Sequence, residues 1–486
     1  MKIQKLLMAF SFILVVSSSI SMAQVTIGSG ESPANGALLQ LKNISGISSD
    51  APNATKGLGL PRVALTNKTN LFPMFSLDND YVNNVGGKKD DEDQKHIGLV
   101  VYNTASGLCN PLSIGVNVWT GTNWVLLSKG VKKDALYAPN SYMIETDGTA
   151  GGATSITIPV EKAYAIWEYY GSPEVGRLPE NVDLTGVLTA NIYWQESTAP
   201  IGTPTVTGTD RTASITVPVN GVYGNAVVSL SIGGVVRWSW HIWVTPPMTT
   251  NTFNGNVWMD RNLGATSTAI EDINRYGLYY QQGRKDPFPR AVGRDNDTEP
   301  TLFPGGVATQ KTETQVSSDP LVNLSVAINA PLTFIWSGDS YLDWYSTGSS
   351  DPKLQWNNRW TTDECNIPVK TSFDPCPEGW HVPAFVNDVS IWQGLTTANW
   401  EEAEDGWGVI WTNPDAGAYP GQGIRGGTPT NQGRMEYNRT HVYVWATSNH
   451  GEQSDLLGAN YPGGFLDVNS WAGRVDAAPV RCVKFN

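Results

Sequence analysis

Tryptophan is concentrated in the C-terminal half of the chain, where several tryptophans stand among glycine, asparagine, aspartate and serine. Residues 251–486 hold 12 of the 19 tryptophans. Aromatic rings beside amides and carboxylates suit a carbohydrate, because a sugar presents both apolar C–H faces and hydroxyls. The residues predicted to contact such a ligand are Trp344, Trp356, Asn357, Trp360 and Trp471. The alternative for each ring is a place in the core, since tryptophan is on average highly buried.

Two acidic runs have the residue types that bind a hard cation. Asp295, Asp297 and Glu299 place three carboxylates on alternate residues, which can wrap a calcium ion, although the glycine of a standard calcium loop is missing. The second run is Lys88–Asp93, for which a solvated loop with mutually repelling carboxylates is the favoured interpretation. No cofactor is therefore predicted, and calcium is kept only as an alternative.

A further cluster of acids could supply the two carboxylates of a glycosidase. Its members are Glu401, Glu402, Glu404 and Asp405. Two catalytic carboxylates would have to lie roughly 5 to 9.5 Å apart across the bond, whereas adjacent acids mostly face solvent. The chain also lacks Gly-x-Ser-x-Gly, His-Glu-x-x-His and Gly-x-x-x-x-Gly-Lys. The prediction is therefore a protein that is not an enzyme.

The residues around the four cysteines predict one disulfide. Cys376 lies in a turn, because the prolines and the glycine around it exclude a helix or a central strand. Cys482 lies in a short alternating run that is typical of a terminal strand. We expect a bond between these two cysteines that ties the strand to the turn. The pairing of Cys109 and Cys365 stays open, since Cys365 could be free or could pair with Cys109.

Composition favours an exported, β-rich protein and argues against some classes of partner. The 486 residues include 49 glycines and 30 prolines, and only 16% are charged, so turns are frequent and long amphipathic helices are scarce. The formal net charge is −13 and no basic tract balances it, which argues against nucleic acid and against docking on anionic lipid. A chain of this length is expected to form about three domains.

Residues 1–23 have the features of a signal peptide. Lys2 and Lys5 precede an apolar run, and small residues lead up to Ala23. The apolar run is shorter than the roughly 20 residues that a membrane span needs, and no later stretch reaches that length. We therefore predict export across the inner membrane, a secreted or cell-surface location and no membrane span.

Residues 24–130 are expected to form a small β module, because short alternating runs are separated by glycine, asparagine and serine. A leucine-rich strand is followed by Gly57-Leu-Gly-Leu-Pro-Arg62, Gly98-Leu-Val-Val-Tyr-Asn-Thr104 and Trp119-Thr-Gly-Thr-Asn-Trp124. This order resembles leaders at the N-termini of surface and fibre-like proteins of bacteria. The resemblance implies that the module could join copies of the chain into a homo-oligomer.

Residues 139–248 are predicted to form an immunoglobulin-like β-sandwich. Several runs alternate at period two, which buries one face of a strand and exposes the other. In the strand around Trp240, the alternation places this ring on the core face and His241 and Trp243 on the opposite face, as candidates for external contacts. The next residues, 245–252, are expected to be a linker.

Five blocks in residues 251–486 follow one another in an order that resembles a known family. They are Gly255–Gly264, Tyr276–Pro289, Asp374–Trp380, Val444–Ser448 and Val480–Val483. The order is similar to that of the Fibrobacter succinogenes major paralogous (FISUMP) domain, which occurs on secreted and surface proteins of Bacteroidota. The resemblance implies a C-type-lectin-like fold. Because the calcium loop of sugar-binding C-type lectins is missing, it implies that fold without its metal site.

Together these features predict a mainly β protein with an α+β C-terminal domain. Its parts would be a small β N-terminal module, an immunoglobulin-like β-sandwich and a C-type-lectin-like domain. The expected function is adhesion at the cell surface, with glycan or surface-protein ligands bound by the C-terminal domain. One alternative is a structural subunit of a surface fibre, which an exposed unpaired strand edge would favour. The other is a secreted glycan-active enzyme.

Overall fold

The structure is a computed structural model, and it describes most of the chain. The described residues are 25–27, 29, 39–44, 54–105, 115–127, 133–151, 154–173, 175–290, 300–304, 308–338, 342–346, 370–385, 389–396, 399–402, 408–413, 415–450 and 453–484. Contacts divide the chain into two compact units, Met1–Ser128 and Lys129–Asn486. The fold is mainly β, which confirms the predicted fold class.

The first unit contains a four-stranded sheet, a separate pair of strands and two short helices. Its elements are β1 (Val25–Ile27), β2 (Leu39–Leu41), β3 (Arg62–Val63), α1 (Asn79–Val82), a 3-10 helix (Val85–Gly87), α2 (Lys88–Lys95), β4 (Val100–Asn103), β5 (Gly115–Trp119) and β6 (Trp124–Leu126). β1 and β2 pair in parallel. The larger sheet has the order β3-β4-β5-β6, with β3 and β4 parallel and the other neighbours antiparallel.

One face of the larger sheet forms the core of the first unit. Because side chains alternate along a strand, Val101 and Trp119 point to the same side, where they pack with Trp124 and with Tyr81 of α1. Trp119 and Trp124 are cross-strand partners whose ring centroids lie 5.5 Å apart. Gly121 holds a φ of 98° in the turn between them, a backbone conformation that favours glycine. The tight turn therefore sets the register that joins the two rings.

The acidic run Lys88–Asp93 is helical, so the interpretation as a solvated loop is wrong. It forms most of α2. Asp93 is buried, and its carboxylate accepts hydrogen bonds from Tyr81 Oη at 2.6 Å and from Lys89 Nζ at 2.5 Å. The i, i+4 spacing on a helix brings Lys89 and Asp93 together. Pairing within the run and with the core thus replaces the expected repulsion.

The second unit begins with a short helix, which is followed by the strands of two sheets and by a second helix that lies among these strands in sequence. The elements are α3 (Lys133–Leu136), β7 (Ser141–Glu145), β8 (Thr154–Pro159), α4 (Glu161–Tyr170), β9 (Leu188–Gln195), β10 (Thr205–Thr207), β11 (Ser214–Val219), β12 (Gly224–Ile232) and β13 (Val235–Thr245). The sheet orders are β7-β13-β12-β9 and β10-β11-β8. β7 and β13 are parallel, and the other neighbours are antiparallel.

Both sheets and helix α4 contribute to one core. Ile215 of β11 and Trp240 of β13 are buried in it. Helix α4 differs from the sequence prediction, which expected strands alone between residues 139 and 248. Seven of its ten residues are buried, and apolar side chains fill every position from Ala163 to Trp167. Such an uninterrupted run carries no period that distinguishes a buried helix from a buried strand.

The rest of the second unit consists mainly of short strands. Its elements are β14 (Thr250–Phe253), β15 (Asn256–Met259), a 3-10 helix (Ile273–Arg275), β16 (Tyr279–Gln281), β17 (Thr312–Gln315), α5 (Pro320–Asn329), β18 (Thr333–Trp336), β19 (Trp380–His381), β20 (Asn399–Glu402), β21 (Val409–Asn413), β22 (Gly417–Pro420), β23 (Ile424–Arg425), β24 (Met435–Glu436), β25 (His441–His450), β26 (Gln453–Asn460), β27 (Phe465–Gly473), β28 (Ala477–Pro479) and β29 (Val483–Lys484). The sheets are β14-β15-β29-β19, β16-β28-β23-β24, β17-β18, β20-β21-β22 and β25-β26-β27. No helix in the part of the chain that the structure describes is long and apolar enough to cross a membrane.

Strand β29 lies inside its sheet, between β15 and β19. Val483 pairs with Trp258 on one side and with His381 on the other. The predicted disulfide is confirmed, because Cys376 and Cys482 are bonded to each other with their Cα atoms 6.0 Å apart. This bond joins residues that are 106 positions apart in sequence. The end of the described chain is therefore tied into the domain both by hydrogen bonds and covalently.

The core of the first part of the second unit (residues 133–245, called the sandwich) continues into the rest of the unit (residues 246–484, called the C-terminal half). The cluster of buried side chains that holds Trp240 also holds Tyr279, Phe334 and Trp445. The residues predicted as a linker, 245–252, thus connect two halves that share one core, and only four residues separate β13 from β14. Contacts accordingly group the sandwich and the C-terminal half into a single unit.

Candidate functional site

The sheet β3-β4-β5-β6 of the first unit is apolar on the face that points away from its core. Side chains alternate along a strand, so the neighbours of the core residues point outward. The outward side chains are Val100, Tyr102, Val116, Val118, Val125 and Leu127. Three of them are exposed, namely Tyr102, Val125 and Leu127, and the other three are half-buried. We call these six side chains the outer apolar face.

This face is absent from the sequence-based predictions, although the sequence carries a signal for it. Apolar residues occupy the successive positions Leu99, Val100, Val101 and Tyr102. An antiparallel sheet with one wet face reads as an alternation of apolar and polar residues, whereas a continuous apolar run is typical of a strand that is covered on both faces. The run therefore indicates a second cover for the sheet.

The separate pair of strands in the first unit also exposes apolar side chains. Ile27 of β1 is 57% exposed and Leu39 of β2 is 55% exposed. A two-stranded sheet is marginally stable in water unless it packs against something else. The first unit thus presents apolar surface on its sheet and on this strand pair.

Strand β13 is buried on both faces, so the prediction that His241 and Trp243 make external contacts is wrong. The C-terminal half covers the second face, where Trp243 Nε1 donates a hydrogen bond to Ala265 O at 3.0 Å. His241 Nε2 donates to Asn225 Oδ1 at 3.0 Å, and burial lowers the pKa of His241 to about 3. Period two assigned the faces of the strand correctly, but it contains no information about what covers them.

A buried ion pair lies where the sandwich meets the C-terminal half. Lys285 Nζ lies 2.7 Å from both carboxylate oxygens of Asp286 and donates to Ser239 O at 3.0 Å. Ser239 Oγ donates to Asp286 Oδ1 at 2.6 Å, and the ammonium lies 4.2 Å from the centroid of the Trp238 ring. Burial lowers the pKa of Lys285 to about 8, and Asp286 opposes that shift. The polar groups satisfy one another, so the pair attaches one half of the unit to the other.

Trp344 lies in the core, so the prediction that it contacts a ligand is wrong. Its side chain is fully buried, and Nε1 donates to Gln282 O at 2.8 Å. The guanidinium of Arg284 lies 5.7 Å from its ring centroid. The polar residues around Trp344 in sequence therefore do not make the ring accessible, because it belongs to the buried cluster that also contains Leu324 and Ile328 of α5.

Trp471 keeps its ring at the surface. It is 56% exposed on β27, where it is paired with Asp455 of β26. Asn469 lies two positions earlier on β27 and is also exposed, so the ring stands near an amide and a carboxylate. A role of Trp471 in ligand binding stays a prediction. The other ligand candidates, Trp356, Asn357 and Trp360, lie outside the described residues.

The acidic candidates are dispersed or lie outside the described residues. Glu401 and Glu402 follow each other on β20, so their exposed side chains leave opposite faces of the strand. The candidates outside the described residues are Glu404, Asp405, Asp295, Asp297 and Glu299, together with Cys109 and Cys365. Within the described ranges, no group of three or more His, Cys, Asp or Glu is placed to hold a metal ion.

Comparison with known protein families gives a match that covers most of the first unit and the start of the second. Residues 26–141 match the family model of a phage tail like trimerisation region. The matched range, about a quarter of the chain, contains the outer apolar face and ends at the first residue of β7. No curated protein and no solved structure matches the chain. The N-terminal region is thus similar to one that joins three subunits, which indicates a structural role and self-association.

Proposed function

We propose that the chain is a structural subunit of a homotrimeric, fibre-like assembly at a bacterial surface. The observation that carries the proposal is the similarity of residues 26–141 to a phage tail like trimerisation region. In this function the first unit joins three copies of the chain. The apolar side chains that this unit leaves exposed support the proposal, because contiguous exposed apolar surface marks interaction sites.

The construction of the second unit suits a structural subunit. Its sandwich and its C-terminal half share one core, and the Lys285–Asp286 pair and the Trp243–Ala265 hydrogen bond cross the junction between them. The bond between Cys376 and Cys482 closes the C-terminal half. Disulfides persist in oxidising compartments, which supports export of the chain.

Measurement of the molar mass of the purified chain tests this proposal. Light scattering coupled to size-exclusion chromatography should give three times the mass of one chain at micromolar concentration. Sedimentation velocity over a dilution series should then show trimer and monomer without a stable dimer. A monomer at every concentration, or a closed assembly of another number of copies, contradicts the proposal.

Ligand binding by the C-terminal half is a second candidate function, which the exposed Trp471 favours. The five sequence blocks that resemble the FISUMP domain imply a lectin-like fold in this half. If the ring is a binding anchor, Trp471→Ala should weaken binding to a glycan or surface protein about tenfold or more. An array of glycans probed with the full chain provides the ligand, and binding should survive EDTA. Equal signals from wild type and Trp471→Ala contradict this second function.

A further inference from the structure

We infer that the outer apolar face is the surface through which the copies of the chain bind one another in the trimer. The inference rests on the proposed function and assigns residues to it: Val100, Tyr102, Val116, Val118, Val125 and Leu127. The occupants of the face are the same faces of the two neighbouring chains, which meet it around a threefold axis. The register of the sheet, its polarity and its charge support this assignment.

The register of the sheet makes the first row of the face continuous. Val100 of β4 pairs with Val118 of β5, and Val118 pairs with Val125 of β6. Side chains directly opposite each other on neighbouring strands have their Cβ atoms about 5 Å apart. The three valines therefore form one unbroken apolar row across three strands.

A second row runs beside the first one. Tyr102 of β4 pairs with Val116 of β5. The ladder extends one residue past β6, because the N–H of Leu127 donates to Val116 O at 2.7 Å. At the other end, Arg62 of β3 pairs with Tyr102 and is exposed. The face thus has an apolar centre and a charged residue at its edge, which is the usual anatomy of a protein interface.

The polarity of the sheet is that of a sheet with both faces covered. An antiparallel sheet with a solvated face carries polar residues on that face. Here the outward positions of β4 and β5 are valine and tyrosine, while Val101 and Trp119 on the other face form the core. The first unit therefore covers one face with its own residues and leaves the second face to a partner.

A copy of the same chain fits this face by charge and by symmetry. The chain carries a formal net charge of −13, so most contacts between identical copies would bring like charges together, whereas the six side chains of the face are uncharged. In a closed ring of three copies, each chain can turn the same face toward the axis. The three faces then cover one another. The number of copies, three, is taken from the match of residues 26–141 to a trimerisation region.

Single charges on the face provide the test, and an exposed leucine elsewhere in the same unit provides the control. Val118→Asp and Val125→Asp place a carboxylate in the first row, at a half-buried and at a 44% exposed position. Leu77→Asp places the same charge at a 95% exposed side chain in the turn before α1. We expect the full-length wild type and Leu77→Asp to be trimers. The two valine variants should dissociate at a concentration at least about 30-fold higher.

The outcomes separate this inference from the proposed function. A monomeric wild type contradicts both the inference and the proposed function. A trimeric wild type with Val118→Asp and Val125→Asp that keep its dissociation constant overturns the inference alone, as does a Leu77→Asp variant that dissociates equally. Circular dichroism checks that each variant is folded. If an aspartate prevents folding, Val118→Thr and Val125→Thr keep the β-branched shape and should still weaken the trimer, and no weakening overturns the inference.

Discussion

The ammonium group of Lys285 is held 2.7 Å from both carboxylate oxygens of Asp286, and both side chains are almost completely buried. The two residues are neighbours in sequence, yet their charges meet inside the second unit, against Ser239 of the sandwich. Removing two charges from water costs free energy that their attraction offsets only when the remaining polar atoms are also satisfied. This pair meets that condition through Ser239.

Removing one member of this pair should destabilise the protein more than removing both. Asp286→Ala leaves the Lys285 ammonium buried without its partner, and we expect the free energy of unfolding to fall by about 3–5 kcal/mol. The double variant Lys285→Met and Asp286→Ala leaves no unpaired charge and should recover part of that loss. Urea denaturation of the three proteins measures the difference. A double variant that is less stable than Asp286→Ala contradicts this account of the pair.

Truncation of two tryptophans that were predicted for the same role should change the stability of the protein by very different amounts. Trp344→Ala removes a fully buried ring and should lower the free energy of unfolding by about 3–5 kcal/mol. Trp471→Ala removes a ring that is 56% exposed and should change it by about 0.5 kcal/mol or less. Chemical denaturation followed by circular dichroism provides both values, and each variant serves as the control for the other. Similar losses in both variants would show that the ring of Trp471 packs as a core residue.

Asp476 should make the protein less stable as the pH rises. Burial raises its pKa to about 7 from an ordinary value of 3.8, although the N–H of Gly427 donates to Oδ1 at 2.7 Å and opposes the shift. The folded state therefore keeps a proton that the unfolded chain has already released, and this contribution to stability is lost between pH 3.8 and pH 7. Above pH 7 the loss is complete.

Asp476→Asn removes this proton while it keeps an acceptor for the N–H of Gly427. The variant should be more stable than the wild type at pH 8, by up to about 4 kcal/mol, and should differ little from it at pH 4. Unfolding curves at pH 4, 6 and 8 measure the difference, and the pair at pH 4 is the internal control. A difference that does not change with pH contradicts an Asp476 that is protonated in the folded state.

The bond between Cys376 and Cys482 should stabilise the second unit through the unfolded state. It spans 106 positions, and in the chain-entropy model a loop of that size contributes about 4–5 kcal/mol. Replacing both cysteines by alanine should lower the free energy of unfolding by this order. The oxidised and reduced wild type give an independent comparison. A double variant as stable as the oxidised wild type would show that the sheet around β29 needs no covalent support.

The sequence predicts those parts of the fold that depend on local pattern. Alternation predicts the strands of the sandwich. The residues around Cys376 and Cys482 predict the disulfide between them, which the structure confirms. The pattern is insufficient where apolar residues are continuous, as in α4, because a buried helix and a buried strand then look alike. Local spacing also cannot show which other part of the chain covers a residue. For this reason the prediction that His241 is exposed is wrong, since the residue is buried.

The candidate site residues show the same limit, because local sequence does not determine whether a side chain is buried. Trp344 and Trp471 both stand among small polar residues, yet one is core and one is surface, because the difference arises from strands far away in sequence. For the outer apolar face, Val100 and Tyr102 are readable as outward positions, but the sequence of one chain does not display its neighbours in an assembly. The continuous apolar residues of β4 indicate that both faces of the strand are apolar, and they do not show what covers the outer one.

The position of β29 inside its sheet has a consequence for the order of events during synthesis. Val483 joins Trp258 and His381, so the centre of that sheet contains a residue made more than two hundred positions after its neighbour on β15. Until that residue has left the ribosome, β15 has no partner on this side, and this half of the protein cannot complete its fold. Pairing across so long a stretch of chain is slow. Folding of this half is therefore late relative to the synthesis of β15, and a chain whose synthesis stops before β29 would carry an open strand edge that other chains can join.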